Sequence, residues 1–507
     1  MTDALRAGAA LLARLTQPRA AASCVAVLAL VATVARAWGS HGFCLDDAWI
    51  HLSYAKSLRL GEGFSYNPGD HETGFSSPLW VALIALLPWA NDPVLAVKLA
   101  GAVLHAALAL GALRLTAQLV AATPDDAEHP SAGHLELRPL LAGCVVALDP
   151  ALTFSAVSGM EVSLTAALLV WGLDSALRGA RVRAFLLSWA SVWARPESMF
   201  LWLAWSGLRA ARRRDLRELV PLFGAFGALA VWVAYCAAVS GYAWPNTYYA
   251  KRGADPVQGL LYVGVQVLPE QAWLLSLTGL FLLVRSLRAS DRAGAESRQL
   301  FVAWLVTTLA IAVSRRLFLG PLFFNSRYFA IAYALPWIVV ACGLPMRGWS
   351  RVWLAVPIAL AGAWLGVRSY ALQYSQESDI TTQHVEPARW LAARLRPDSR
   401  LAVEGAGAMR FFLPRTVRVL DVEGLNDKRV VHAATPAEAM CEVLRAHPTH
   451  VALPDEKIQG FQQTLRLVLV RTFVDPANTT AALVAPRTLY IARVLSPSPL
   501  GRRLCAL

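Results

Sequence analysis

The chain has 507 residues, 56% of them hydrophobic and only 16% charged, with a formal net charge of +13. Soluble domains carry about a quarter of their residues as charges. A mean hydropathy of +0.45, with apolar blocks long enough to cross a bilayer, therefore excludes an ordinary soluble protein and indicates a polytopic membrane protein. The positive balance is no nucleic-acid signature: Lys and Arg gather in cytoplasmic loops near anionic headgroups, and no basic helix with interleaved aromatics occurs, so nucleic acid is set aside as a partner.

The first apolar segment, Ala21 to Trp38, follows Arg6, Arg14 and Arg19. Its Ala35-Arg36-Ala37 end has the look of a cleavage site, but an uncleaved first helix is expected because Asp46 and Asp47 follow almost at once. Further spans are expected at about Pro93–Val120, Pro139–Ala156, Glu161–Leu177, Leu219–Ser240, Gln271–Val284, Leu300–Val313, Tyr328–Cys342 and Trp353–Val367. Leu79–Ala90 is too short for a crossing, and Ala184–Leu208 is split by Arg195-Pro196-Glu197; both read as re-entrant or half-length helices. Basic clusters at Arg178–Arg183, Arg209–Arg217, Arg285–Arg298 and Met346–Arg351 orient these spans with the N-terminus in the cytoplasm. The loop holding Asp46 and Asp47 and the C-terminal segment then lie outside.

From about Arg368 the composition changes. Short apolar runs, Arg400–Gly407, Val417–Asp427, Thr449–Glu456 and Leu489–Leu495, alternate with helical patterns such as His384–Leu395 and Pro436–His447. That alternation predicts a small α/β domain. The expected organisation is an α-helical polytopic membrane domain over 1–368, with about nine full spans and an outer loop at 39–78, and an extracytoplasmic α/β domain over 369–507. Gly405-Ala406-Gly407 lacks the third glycine of a dinucleotide loop and opens no clear helix, so no cofactor is expected there. Of the cysteines, Cys24, Cys44, Cys144, Cys236 and Cys342 show no zinc spacing, while Cys441 and Cys505 share the C-terminal domain and can pair if it faces an oxidising space.

The chemistry is concentrated at predicted outer helix ends. Adjacent acids in a loop are often only solvated, and Asp47 could simply cap the helix after it. The loop also carries Gly61-Glu62-Gly63-Phe64, Asn67-Pro68-Gly69 and His71-Glu72-Thr73-Gly74-Phe75, turns that set polar groups beside aromatic faces, a composition suited to sugars. Glu161 lies in a short hairpin, Asn246 to Lys251 follow one span, and Asn325 and Arg327 precede another. Singly these read as snorkelling cations and an aromatic belt. Together, cations for a phosphate, an acid for a hydroxyl proton and aromatics for a sugar suit a lipid-phosphate site. Arg195 and Glu197 read first as a buried ion pair fixing a helix break. Asn478-Thr479-Thr480 matches a glycosylation acceptor pattern that is common by chance.

The run Asp46-Asp47-Ala48-Trp49-Ile50, then Tyr54-Ala55, Gly61-Glu62-Gly63-Phe64, Asn67-Pro68-Gly69 and Glu72-Thr73-Gly74-Phe75-Ser76-Ser77-Pro78-Leu79-Trp80, resembles the first outer loop of actinobacterial terminal arabinofuranosyltransferases and related GT-C membrane glycosyltransferases. Ser158-Gly159-Met160-Glu161, Arg195-Pro196-Glu197, Pro245-Asn246-Thr247-Tyr248-Tyr249-Ala250-Lys251 and Gly424-Leu425-Asn426-Asp427 are similar to that group in the same order. Met160 stands where a smaller Leu-like residue is usual, and Phe323-Phe324-Asn325-Ser326 departs from the family's run before the Arg. The resemblance implies a polyprenyl-phosphate sugar donor, inverting transfer outside the membrane to a glycan or lipid acceptor, and an acid of the first outer loop as base. It leaves the sugar open, a pentose such as arabinofuranose being one candidate.

The candidate set is therefore Asp46 or Asp47 as base, Lys251 and Arg327 for the donor phosphate, and His51, Tyr54, Glu72, Glu161, Asn246, Tyr248 and Asn325 for substrate, with Arg195 and Glu197 as support. No metal ligand set is expected, although a divalent cation at Asp46 and Asp47 is the second mechanistic reading. The rival classes are a lipid or solute transporter, for which the broken helix at Arg195 to Glu197 is the best support, and a non-catalytic envelope protein.

Overall fold

The computed structural model describes residues 17–89, 92–121, 137–251, 255–271, 277–315, 317, 326–344, 350–475 and 488–505. Asn325 and Asn478 lie outside these residues. The chain divides into two compact units interleaved along the sequence: Met1–Gly39, Lys98–Leu229 and Gly253–Tyr370 form the first, and Ser40–Val97, Ala230–Arg252 and Ala371–Leu507 the second.

The first unit is helical. Long runs of Ala, Leu and Val satisfy their backbone groups within the helix, which hydrocarbon surroundings demand. Among the described residues, Pro18–Ala37, Pro93–Val120, Leu216–Ser240 and Gly294–Ser314 are long and apolar enough to cross a bilayer. Packing is close: a Cβ on Gly101 would stand 1.9 Å from the Ala156 carbonyl oxygen, so only glycine lets these helices cross there.

The expected span Pro139–Ala156 is instead two helices, Arg138–Leu148 and Pro150–Val157, bent by 52°. Pro150 has no N–H to continue the ladder. The buried Asp149 carboxylate starts the second helix, accepting from Ala151 N at 2.9 Å and Leu152 N at 3.0 Å, and also takes the Trp337 Nε1–H at 2.7 Å. The break expected at Arg195-Pro196-Glu197 is present, between helices Arg181–Ala194 and Ser198–Arg213. Tyr328–Cys342 is likewise interrupted, as Arg327–Ala330 and Ala334–Cys342. The last apolar segment is longer than expected and runs as one helix from Ser350 to Ile380.

The second unit is built on a five-stranded sheet, with β1 (Arg400–Val403), β2 (Arg418–Asp421), β3 (His450–Pro454), β4 (Leu465–Val474) and β5 (Thr488–Pro497) in the order β2-β1-β3-β5-β4. β1 pairs in parallel with β2 and β3, while β5 runs antiparallel to β3 and β4. β4 was not expected: its Leu-Arg-Leu-Val-Leu-Val-Arg pattern lies on the sheet edge and is largely exposed. Helix Pro436–Arg445 is capped by Thr435, whose Oγ1 accepts from Glu438 N at 3.1 Å, while Glu438 Oε2 reaches back to Ala434 N at 2.8 Å. The core gathers Leu420, Leu444, Val451, Leu453, Ile458 and Phe461.

Cys441 and Cys505 form a disulfide that ties helix Pro499–Cys505 to helix Pro436–Arg445. Closing a loop of this length contributes roughly 4 kcal/mol in the chain-entropy account. Alkylation and mass spectrometry without reductant should recover the two cysteines as one linked peptide, and Cys441→Ser with Cys505→Ser should lower the melting temperature. Free thiols at both positions in the purified protein would contradict this pairing.

Candidate active site

The acids begin a helix. Asp46 and Asp47 open helix Asp46–Arg59, where negative charge is favoured by the helix dipole. Leu45 occupies the N-cap with extended backbone and makes no side-chain cap. Asp47 is thus not the cap of the following helix.

The two acids have different neighbours inside the second unit. Asp46 Oδ2 accepts from Gly407 N at 2.7 Å and Oδ1 from Ala408 N at 3.0 Å, while His384 Nδ1 lies 3.1 Å from Oδ1. Asp46 therefore binds the start of the helix Ala406–Phe412 that follows β1. Burial pushes the His384 pKa down, but the Asp46 charge and hydrogen bond outweigh it and the net direction is upward. A Cβ on Gly405 would stand 2.2 Å from His384 Nδ1, and one on Gly407 2.2 Å from the Asp46 carbonyl oxygen. Gly407 thus allows backbone to approach the acid helix closely, and Gly405 leaves room for the His384 ring. Asp47 faces a cation instead: its Oδ2 is 3.4 Å from Lys251 Nζ, and the two side chains keep 26% and 31% of their exposure against 15% for Asp46.

The rest of the loop that follows the acid helix is bound to the sheet domain of the same unit. Asn67 presents its amide to β2 like a strand, donating to Val419 O at 3.0 Å and accepting from Val419 N at 2.9 Å. Tyr54 is fully buried; its hydroxyl donates to Asn426 Oδ1 at 3.0 Å and accepts from Gly74 N at 3.0 Å. Glu72 is buried and accepts from Asn246 Nδ2 at 2.8 Å and Lys428 N at 3.0 Å. Asp421 accepts from Asn426 N and Nδ2, both at 2.9 Å. Tyr54 thus joins the helix to Asn426 of the Gly424-Leu425-Asn426-Asp427 turn, Glu72 joins the loop to Lys428 just after it, and Asn246 holds Glu72. His51 is buried in the acid helix, whereas Tyr248 stays 37% exposed with its ring 5.3 Å from that of Trp244.

Glu161, Arg195, Glu197 and Arg327 belong to the first unit. Arg195 Nη1 lies 2.7 Å from Glu161 Oε1, its Nε 3.4 Å from Glu197 Oε2, and Arg315 pairs with Glu197 from the other side. All are buried except Arg315, which is partly so. Arg195, Arg315 and Arg327 each stand 4.6–5.4 Å from the centre of the Tyr328 ring. Arg195 and Glu197 thus form the buried pair expected at the helix break, with Glu161 as a further partner.

His384, Arg315, Asp421 and Lys428 were not anticipated. His384 lay in a pattern that reads only as amphipathic helix, and nothing in sequence brings it to Asp46. Gly405-Ala406-Gly407 reads in sequence as opening no clear helix, yet helix Ala406–Phe412 begins there, set by the Asp46 carboxylate from far along the chain. Among the described residues no group of three His, Cys, Asp or Glu side chains has the arrangement of a metal site.

Solved structures show the same architecture. ArnT from Cupriavidus metallidurans, determined bound to undecaprenyl phosphate, superposes with a TM-score of 0.58 at 12% identity, covering 92% of this chain and 97% of that one. The oligosaccharyltransferase of Archaeoglobus fulgidus, tethered to an acceptor peptide containing the NVT sequon, gives 0.51 at 11% identity over 97% of this chain and 77% of that one. The same enzyme with zinc and sulfate gives 0.52 at 12% identity, over 85% and 67%. The chain therefore has the GT-C fold and is an integral membrane protein. A family model described as a domain of unknown function (DUF8728) matches residues 372–491, and no curated protein matches the chain.

Two predictions follow from the loop junction. Burial pushes the Glu72 and Asp421 carboxyls up to about 7, against the hydrogen bonds that pull them down. The folded state then binds more protons than the unfolded chain from roughly pH 4 to 7, so their contribution to stability falls as pH rises through that window. The melting temperature should drop between about pH 5 and pH 8, and Glu72→Gln with Asp421→Asn should flatten part of the drop; an unchanged slope in the double variant would contradict it. Separately, Gly407→Ala should destabilise the protein by at least about 1–3 kcal/mol, because backbone atoms, not a movable side chain, occupy the space. A wild-type melting temperature would show that the acid helix does not press there.

Proposed function

We propose that this protein is an inverting glycosyltransferase of the cell membrane, active at its outer face and moving a sugar from a polyprenyl-phosphate donor to a cell-envelope glycan or lipid, with Asp47 as the base. The observation that carries this is the division of the acid pair: Asp46 spends both oxygens on backbone N–H groups, while Asp47 stays more exposed beside Lys251. The GT-C fold supports the class of reaction, and the ArnT structure holds undecaprenyl phosphate. The Cys441–Cys505 disulfide supports a non-cytoplasmic position for the second unit.

In this reading the acceptor hydroxyl gives its proton to the Asp47 carboxylate as its oxygen bonds to the anomeric carbon. The bond from that carbon to the phosphate oxygen breaks through an oxocarbenium-like transition state, and polyprenyl phosphate leaves with the electron pair. Phosphate is already a good leaving group, so no general acid is needed. Lys251 neutralises the charge that develops on it. The sequence assigns the donor phosphate two cations, Lys251 and Arg327; Lys251 keeps part of its side chain exposed, whereas Arg327 is buried, so Lys251 takes that role here.

A divalent cation shared by the two acids is the second mechanism. It would have to share the Asp46 oxygens with two backbone N–H groups and the His384 ring, so we rank it below metal-free transfer. Activity that survives exhaustive chelation would remove it.

Asp47→Asn should lower transfer by about 10²–10⁴-fold with a wild-type melting temperature, the range a positioned base contributes. Asp46→Ala should lower the melting temperature as well as activity, since it removes two charge-assisted hydrogen bonds. A fully active Asp47→Asn enzyme would rule out Asp47 as the base.

A further inference from the structure

The first unit contains two adjoining cavities that none of the residues above explains. One, of about 530 Å³, lies at the end of the unit that bears the Arg285–Arg298 basic cluster. Arg138, Arg285, Arg288 and Ser297 line it, with the Cys342–Leu344 turn as one wall. The second, of about 730 Å³, begins at the same Leu344 and continues past Leu137, Leu282 and Ala341, each the chain neighbour of a residue lining the first cavity. It follows helix Ser350–Ile380 from Ile358 to Tyr370 and is lined mainly by aliphatic side chains. At about 1.5 Å per residue that run is roughly 18 Å long, close to the depth of one leaflet of a hydrocarbon core about 30 Å thick.

Arginines at the basic face of a membrane protein are expected from topology alone. Two observations go beyond topology here. Ser297 is completely buried, and its hydroxyl has no hydrogen-bond partner among the described residues. The Asp291 carboxylate, which also lines the pocket, is engaged as the cap of helix Arg292–Ser314, taking the Gly294 N–H at 2.7 Å. Arg285 and Arg288 are exposed at the rim. The pocket therefore offers cations and a buried hydroxyl, and it opens into an apolar channel of acyl-chain length.

We propose that the two cavities form a binding site for one anionic phospholipid of the bilayer, its phosphate among Arg138, Arg285, Arg288 and the Ser297 hydroxyl and an acyl chain along helix Ser350–Ile380. Guanidinium groups match phosphate oxygens in pairs, and basic pockets between membrane helices recognise such headgroups. A zwitterionic lipid has the same phosphate and chain but carries a positive group that the arginines repel. The site shares no residue with the acid pair or Lys251, so the lipid serves the fold and not the chemistry.

Head and tail can be tested independently. Arg285→Ala with Arg288→Ala removes rim cations that are exposed, and Gly362→Leu places a side chain where a Cβ meets nothing within 4 Å on the lining of the tail cavity. The full-length protein would be purified in detergent, exchanged against phosphatidylglycerol or phosphatidylcholine, and examined by native mass spectrometry and thermal melting. The wild type should retain one phosphatidylglycerol per chain, with a higher melting temperature than in phosphatidylcholine. Each variant should retain it about tenfold less. Equal retention of the two lipids by the wild type would overturn the proposal, as would wild-type retention in both variants or a polyprenyl phosphate as the lipid retained. The wild-type comparison decides the matter even if a variant fails to fold.

Discussion

The Asp46 carboxylate holds the second unit together. It lies near the start of the sequence yet caps a helix of the C-terminal sheet domain through Gly407 and Ala408, with His384 at its side. Charge-assisted bonds of this kind are about twice as strong as neutral ones, and here they replace a conventional N-cap residue for helix Ala406–Phe412. Consecutive residues on a helix project roughly 100° apart. Fixing Asp46 on the sheet domain therefore turns Asp47 to a different side, where Lys251 meets it. One acid is fixed on backbone N–H groups and its neighbour faces a cation.

The loop beyond the acids serves the same end. Asn67 bonds to β2, Tyr54 to Asn426 and Glu72 to the Lys428 N–H, so a segment that looks like a flexible polar loop is a built part of the domain. The first unit handles its buried charges differently. Arg195, Glu197, Glu161 and Arg315 pair around a proline break, and removing one partner of such a set leaves an uncompensated charge, costing about 3–5 kcal/mol. Those residues read as a fixed joint, which weakens the transporter reading that drew on the same broken helix.

Much of this was legible in the sequence, and the parts that were not have physical reasons. Hydrophobic runs gave most helices, and Arg195-Pro196-Glu197 announced its break because proline and charge coincide. Asp149-Pro150 carries the same signal, but the surrounding run is so apolar that it reads as one span. β4 is hard to read from sequence, since a strand exposed on an edge need not alternate cleanly. In the site, the loop residues Tyr54, Glu72 and Asn246 were singled out from residue type and motif order, but their burial against the sheet domain is a long-range contact no local pattern encodes. His384 is the clearest case: a histidine on an amphipathic stretch gives no hint that an aspartate from the other end of the chain will sit 3.1 Å away.

The most direct test is to give the purified protein a panel of polyprenyl-phosphate sugars with candidate envelope acceptors and to determine the product linkage by mass spectrometry and NMR. The account predicts that one donor is consumed, that polyprenyl phosphate is released, and that the new glycosidic bond has the opposite anomeric configuration to the donor. Retention of configuration would contradict the single displacement assigned to Asp47, and lipid movement across liposomes with no acceptor modified would contradict the enzyme itself.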